Sequence, residues 1–450
     1  MAKTVKLSKG FDIKLEGEAL RFSKSPTLSR NFAIKPADFK GIIPKLLVEA
    51  GAEVKAGDPL FHSKSNEQLL FTSPVSGEVL EIKRGEKRVI EEIIILSDAK
   101  STYKDFGAAD PKSMSRADVT ARLLSSGVWP LLRQRPFNKI ADPAQTPKSI
   151  FISGFDSAPL APDYNYILES QAKDFQTGID ALSKLTDGKI HLNLDKNRRN
   201  CHTFEDAHGV SITYFDGPHP AGNVGVQIHH LDPVISKNDL VWFINPQDLL
   251  IIGRLFNTGH YDASRLVAVA GSEVTNRQYY KMSIGANVAA VLEHNTSAGN
   301  NRIISGNVLT GSKIAATDYL GYYDHLITVI PEGHEEEFLG WLLPSYPRPS
   351  ISKTLPAFLM PEKAYKVNTN MHGEDRAFVV TGEYEKVLPM DILPLYLIKA
   401  CMSRDIENME ALGIYEVAEE DFALCEFVCT SKAPIQEIIR EGLNYIEKEA

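Results

Sequence analysis

Cysteine is scarce in this chain: four in 450 residues, at Cys201, Cys401, Cys425 and Cys429. Four thiols in so long a chain make no disulfide framework, which fits a reducing compartment. Long hydrophobic runs are missing too. The most apolar windows, residues 93–96, 249–252 and 393–398, sit beside charge or proline. They fall far short of the ~18 consecutive apolar residues that span a bilayer. The first ten residues alternate lysine with small and apolar residues, without the apolar centre or cleavage site of a secretory signal. A cytoplasmic location is therefore expected, with any membrane association made through a protein partner. A basic excess is also absent: 49 Lys and Arg against 58 Asp and Glu give a net charge of -9. Phosphate binding needs a basic surface, so no nucleic acid is expected as partner, and attraction to anionic lipid is disfavoured for the same reason.

What is present is ordinary globular composition, 43% hydrophobic and 24% charged, with length for three or four domains. The pattern predicts a multidomain α/β and α+β protein. Over residues 41–95, Gly51, Gly57, Gly77 and Gly85 punctuate short strands whose apolar residues recur with period two. This resembles the barrel-sandwich hybrid of biotinyl and lipoyl carrier domains. The carrier lysine position falls at about Asn66, with Lys64 nearby but outside the expected apolar pair, so a docking module is expected over residues 1–105 rather than a carrier. Residues 106–258 alternate helix and strand: a helix over 116–126, a strand at 149–153, a long helix over 165–185 with Leu168, Phe175, Ile179 and Leu182 at helical spacing, and a strand at 189–194. Strand, helix, strand at these lengths argues for a parallel, Rossmann-like α/β domain. Residues 259–330 contain a strand at 265–271, a helix from 284 to about 293 and a closing segment at 302–311, which resembles a β-grasp module of the soluble-ligand-binding (SLBB) type. Residues 331–450 are a mixed segment followed by a helical C-terminal domain, with helices over 391–404, 405–412, 419–428 and 435–449.

This order of domains is similar to that of the flavin-binding NADH subunit of respiratory complex I and of the C subunit of the Rnf complex. In those relatives a loop close to G-x-x-G-x-G-G-x-G-F-P holds FMN, because backbone N–H groups must approach phosphate and ring without Cβ interference. The corresponding stretch here runs from Gly127 to Phe137 and keeps the first glycine alone. Pro130, Leu132, Arg133 and Arg135 replace the later ones, and Pro130 and Pro136 lack an N–H to donate. FMN is therefore not expected to bind in the relatives' manner. The relatives' C-x-x-C-x-x-C motif is reduced to Cys425 and Cys429, with Cys401 upstream and Cys201 in another domain. A four-iron cluster takes four thiolates, and cysteines at i and i+4 of a helix read as small buried apolar residues.

Over nearly the whole chain the sequence is identified as a member of the family formed by the A subunits of bacterial sodium-translocating NADH:quinone reductases. The phrases that carry this are the loop from Val128 to Phe137, Gly178 to Gly188, Phe215 to Gly222, Ile304 to Gly311 and Cys425 to Cys429. The resemblance implies a cofactor-free subunit, peripheral at the cytoplasmic face of the bacterial inner membrane and seated on the membrane subunits, the B subunit most of all. The complex oxidises NADH, reduces ubiquinone or menaquinone and exports sodium, with flavins and iron–sulfur centres on its other subunits. Family membership also associates the chain with quinone binding. The alternative is a self-contained, FMN-dependent NADH dehydrogenase, against which the glycine-poor loop argues.

Trp129, Arg133, Arg135 and Phe137 form the candidate quinone site: rings to stack on the quinone, and arginine to donate to its carbonyl oxygen. The same arginines also suit tying an emptied pocket shut through carboxylates, or contacting another subunit. In the loop from Asp216 to Gly222, two prolines and two glycines fix the course of the chain. His219 there is either a proton donor near neutral pH or part of a structural turn. No metal is expected. His219, His229 and His230 lack the short spacing of a zinc site, and adjacent histidines in a strand would face opposite ways. Asp324-His325 has no serine elbow beside it, so hydrolase chemistry is not supported. His334 to Glu337 reads as a solvated helix start. With no intramembrane carboxylate, sodium is not expected to pass through this chain.

Overall fold

The computed structural model describes residues 3–25, 29–98, 100–198, 201–333, 348–351, 356–374 and 376–449. His334 to Glu337 lie outside the described residues. Among the described residues the strands form four sheets.

Two of them make the hybrid sandwich. One orders Asn31–Ile34, Ile90–Ser97, Gly77–Arg84 and Glu53–Val54; the other orders Pro44–Leu46, Pro59–Ser63 and Asn66–Thr72. Gly77 sits at φ +152, and a Cβ there would run into the Leu96 carbonyl of the neighbouring strand, so no other residue fits. Lys64 and Ser65 are the exposed tip of the hairpin between Pro59–Ser63 and Asn66–Thr72. The sandwich core is aromatic: Phe61 stacks on Phe71 at 4.4 Å, Phe39 meets Phe71 at 4.4 Å, and Phe39 also meets Tyr322 at 4.6 Å. That last contact carries the core into the β-grasp unit.

The largest sheet has seven strands, ordered Lys3–Lys6, Ser211–Asp216, Lys189–Asp195, Ser149–Ser153, Val241–Ile244, Arg133–Arg135 and Lys139–Ile140. The first five are parallel; Arg133–Arg135 is antiparallel to Val241–Ile244. Ser149–Ser153 and Val241–Ile244 are nearly continuous buried runs, as strands covered on both faces must be. From Ser149–Ser153 the chain steps outward through Lys189–Asp195 to Ser211–Asp216, then returns to place Val241–Ile244 on the other side. The strand order thus reverses between Ser149–Ser153 and Val241–Ile244, and such a reversal opens a crevice at the carboxyl ends of the strands. Helices Ala172–Leu182 and Pro246–Thr258 pack closely because Gly178 and Gly253 have no Cβ to meet Leu249 and the Asp174 carbonyl.

The expected helix over 165–185 is broken into Tyr164–Leu168 and Ala172–Leu182. The Leu168 carbonyl accepts from the Thr203 hydroxyl at 2.6 Å and from the Gln171 N–H at 3.0 Å, so the helical ladder ends there.

The β-grasp unit has six strands, ordered Ser312–Ile314, Asn301–Ser305, Leu326–Pro331, Ser264–Ala270, Gln278–Ser283 and Leu20–Lys24. The helix expected from residue 284 shrinks to the turn Ala289–Leu292. The backbone before it is engaged elsewhere: the Gly285 carbonyl accepts from Ala33 at 2.8 Å, and Asn287 donates to Asn31 at 3.1 Å. The closing segment at 302–311 is a strand only to Ser305, after which Asn307 caps a turn by accepting from Leu309 and Thr310. Lys3–Lys6 and Leu20–Lys24, grouped with the hybrid domain from sequence, add edge strands to the other two sheets.

The C-terminal helices are Pro394–Ser403, Ile406–Ala411, Ala423–Val428 and Ile435–Glu449. The one expected over 419–428 begins as a 3-10 turn, Glu419–Phe422, before its α-helical part. Ile435, Ile439, Leu443 and Ile446 form the buried stripe that docks the last helix. No described helix is long and apolar enough to cross a membrane.

Candidate functional site

Two chain segments leave the sheet at its reversal point. After Ser149–Ser153 come Gly154, Phe155 and Asp156. After Val241–Ile244 comes Asn245, which caps helix Pro246–Thr258 by accepting from the Gln247 N–H at 2.9 Å. Between them lies a cavity of about 200 Å³. Phe155, Asp156, Tyr164, Phe243, Asn245 and Asp248 line it from the α/β domain, Tyr323 from the β-grasp unit and Glu420 from the C-terminal helices.

Arg133 forms one wall. Its guanidinium lies 4.6 Å from the centre of the Phe243 ring and 5.0 Å from that of Tyr323, and 3.8 Å from the Glu420 carboxylate. Arg135, two residues on and so on the same face of the strand, is wholly buried behind it. It donates to Glu420 at 2.7 Å and faces Asp421 at 3.3 Å. Burial works against the Glu420 charge, but Arg135 and then Arg133 more than offset it and hold its pKa below the ordinary value. Burial pushes the Asp421 carboxyl upward. Asp248 is also buried, yet Arg265 at 2.7 Å and His325 at 3.5 Å keep its pKa low. His325 is fixed in turn by Gln247 at 2.7 Å.

The four loop residues expected to act together do not form one cluster. Arg133 reaches the cavity and Arg135 supports it. Trp129 is in the core, donating from its indole N–H to the Ala141 carbonyl at 2.7 Å and packed edge-on against Trp242 at 5.5 Å. Phe137, at φ +74, points to the C-terminal helices, where its ring meets Tyr415 at 5.9 Å and its carbonyl accepts from Arg440 at 3.0 Å. The reason is strand alternation followed by a turn: 133 and 135 share a face, and residues 129 and 137 lie beyond the strand's ends.

His219 does line the cavity. Its Nδ1 is 3.0 Å from the Ser157 hydroxyl, and its backbone N–H donates to Asp12 at 2.8 Å. Burial pushes its pKa down to about 4, so the ring is neutral at pH 7, which favours the structural turn over the proton donor of the two readings. His229 and His230 lie on helix Val224–Leu231, not in a strand; His229 pairs with Glu416 at 2.9 Å and His230 with the Pro389 carbonyl at 2.9 Å. Asp324 and His325 turn to different partners, Ser305 at 2.6 Å and Asp248.

The loop does not fit a flavin phosphate held on backbone N–H groups. Those of Gly127, Val128, Leu131 and Leu132 already donate to Leu124, Leu123, Val128 and Trp129 within the chain. Trp129, Leu131 and Leu132 fill the space beside them as buried side chains. Among the described residues no group of three or more His, Cys, Asp or Glu is placed to hold a metal ion. Cys401, Cys425 and Cys429 are buried in the helical region, with Cys429 3.0 Å from the Tyr384 hydroxyl. Burial pushes the Cys401 thiol up to about 12.

Asp156, Tyr164, Asp248 and Glu420 escape notice in the sequence. Glu419-Glu420-Asp421 looks like an acidic helix start, and nothing local marks the strand reversal that brings the others together.

The arrangement defines a mixed α/β protein in which three parts of the chain line one cavity, with a barrel-sandwich N-terminal domain and no described membrane span. Family models match over three stretches: the NqrA N-terminal barrel-sandwich hybrid domain over residues 5–98, the NqrA second alpha/beta domain over 114–261, and the NQRA C-terminal domain over 266–316. The chain belongs to the NqrA family, the A subunits of Na(+)-translocating NADH-quinone reductases. It is 37% identical to the member from Yersinia pestis bv. Antiqua (strain Angola), covering 99% of this chain and 100% of the relative. Identity is 38% to the member from Serratia proteamaculans (strain 568) and 36% to that from Pasteurella multocida (strain Pm70), again over 99% of this chain and 100% of each relative. A solved structure of NAD+-reducing NiFe-hydrogenase in the air-oxidised state covers 74% of this chain and 62% of its own at 12% identity, with a TM-score of 0.39.

Proposed function

We propose that this chain is the cytoplasmic, peripheral subunit of a sodium-pumping NADH:quinone reductase in the bacterial inner membrane. It docks on the membrane subunits, the B subunit most of all, and offers its switch-point cavity to the ring of ubiquinone or menaquinone. It carries no redox centre; NADH, flavins and iron–sulfur centres belong to the other subunits. We read the parallel sheet as Rossmann-like and the C-terminal helices as a separate domain that closes the cavity. The observation that carries the quinone reading is the position of Arg133, a cation held between two aromatic rings at the cavity wall. Such a wall offers stacking and charge to a flat carbonyl-bearing ring.

A photoreactive quinone applied to the whole complex tests this. Cross-links are expected on peptides containing Arg133, Phe155, Phe243 or Glu420. Labels confined to the other subunits would remove the quinone role and leave a docking protein. The alternative, a self-contained flavoenzyme, fits the loop poorly. Flavin absorbance near 450 nm (roughly, as expected of a flavin cofactor) in the purified chain would restore it.

A further inference from the structure

Asp156 follows strand Ser149–Ser153 at the reversal point and stands between two spaces. One is the main cavity; the other is a side chamber of about 20 Å³, the size of a single water site, which Asp156 shares with Phe155 and Tyr164. The other carboxylates of the main cavity are neutralised: Asp248 by Arg265 and His325, Glu420 by Arg135 and Arg133. Asp156 has no cation within ion-pair distance among the described residues. One of its oxygens, Oδ1, accepts from the Ala158 N–H at 2.8 Å.

Part of the polar lining of the cavity is already paired. Arg133 is held by Glu420 and two rings. The Asn245 amide donates to the Tyr164 hydroxyl at 2.6 Å, and the Asn223 amide to the Glu420 carbonyl at 3.1 Å. A quinone ring presents two carbonyl acceptors; the Arg133 guanidinium can donate to one, and the other needs a second O–H or N–H from the wall. A carboxyl placed in a wall without a cation favours its protonated form, and a protonated carboxyl is an O–H donor. Burial indeed raises the Asp156 pKa.

We infer that Asp156, as the neutral acid, donates a hydrogen bond to a carbonyl oxygen of an uncharged ring bound in the switch-point cavity. This rests on the quinone reading above and adds to it the group that selects the ligand. Dione rings are accepted, and phosphate-bearing ones meet, in the ionised Asp156, a carboxylate that no cation offsets. Facing Asp156 from the side chamber are Asp163, Asp195, Arg198, Cys201, Glu205 and Tyr214. Facing it from the cavity are Arg133, Tyr164, His219, Asp248 and Glu420, with His325 behind Asp248. Of these, His219 is neutral above about pH 4, while Asp248 and Glu420 are held ionised.

Binding of a short-tailed ubiquinone to the purified full chain, followed from pH 5 to pH 8, tests the inference. Native chain is expected to bind more weakly as pH rises, by on the order of tenfold, the equivalent of one lost hydrogen bond. Asp156→Asn keeps an N–H donor at every pH, so its binding is expected to stay near the acid-side level throughout. Asp156→Leu is expected to bind weakly at every pH. An excess of FMN is expected not to displace the quinone. A native curve that is flat with pH, or an Asp156→Asn curve that keeps the native slope, would overturn the role of Asp156 and leave the quinone reading standing. Displacement by FMN would overturn the selectivity. Native chain that binds no quinone at any pH takes down both.

Discussion

Arg135 and Glu420 are 285 residues apart in sequence, yet the guanidinium donates to the carboxylate at 2.7 Å inside the molecule. Arg135 is fully buried, and Asp421 stands at 3.3 Å on its other side. One strand of the α/β sheet is thereby tied to the 3-10 turn Glu419–Phe422 of the C-terminal helical region, and the tie forms part of the cavity wall. A buried pair of this kind gives little net stability, because both charges lose their hydration, but removing one partner strands the other.

Replacing Arg135 alone with leucine, which takes the cation from both Glu420 and Asp421, is therefore expected to cost about 3–5 kcal/mol of folding stability. Replacing both partners, Arg135→Leu with Glu420→Leu, is expected to cost less than the sum of the two single changes. Denaturant titrations arranged as a double-mutant cycle give the coupling directly. Strict additivity would mean that the two side chains do not interact in solution.

Arg133→Ala leaves this tie in place and removes the cation at the cavity wall. In the assembled complex it is expected to slow quinone reduction about tenfold, an effect of ~1.4 kcal/mol, while NADH oxidation with an artificial acceptor is little changed. Equal loss of both activities would place Arg133 in assembly.

His219 supplies a pH signature. Its native form is the neutral ring, with a folded pKa of about 4 against an ordinary 6.5. A base with a depressed folded pKa contributes stability that is intact above its unfolded pKa and is lost as pH falls through the folded one. The chain is expected to lose roughly 3 kcal/mol between pH 6.5 and pH 4 from this group. His219→Gln is expected to remove that part of the slope, read from urea midpoints at several pH values. An unchanged slope would show that the ring is solvated.

Gly253→Ala tests the helix pair. An added methyl would run into the Asp174 carbonyl of helix Ala172–Leu182, which is backbone and has no rotamer to give. A loss of about 1–3 kcal/mol is expected, with an unchanged dependence on denaturant. A neutral outcome would mean that the two helices slide apart at little cost.

Much of the architecture is legible in the residues themselves, where the cause is local. Helix Ile435–Glu449 matches its expected span because Ile435, Ile439, Leu443 and Ile446 repeat at helical spacing. Strand Ser149–Ser153 is readable from its buried run beside a glycine. What fails is whatever a distant partner decides. The helix break after Leu168 depends on the hydroxyl of Thr203, 35 residues on. The short turn Ala289–Leu292 depends on backbone bonds made with residues 31 and 33 of another domain. The candidate site fails in the same way. A vacated glycine loop points to Arg133 and Arg135, but Asp156, Asp248 and Glu420 become neighbours through strand order alone. Trp129 and Phe137, close in sequence to the two arginines, go to the core and to the C-terminal helices.

The first two strands of the chain, Lys3–Lys6 and Leu20–Lys24, have a consequence for how the molecule is made. Each is an edge strand whose neighbour is synthesised far later: Ser211–Asp216 for the first, Gln278–Ser283 for the second. Lys3–Lys6 can pair only once residue 216 has been made, just under half of the 450, and Leu20–Lys24 only once residue 283 has, so the two sheets close one after the other. Both sheets are thereby finished at their edges by strands made long before their neighbours.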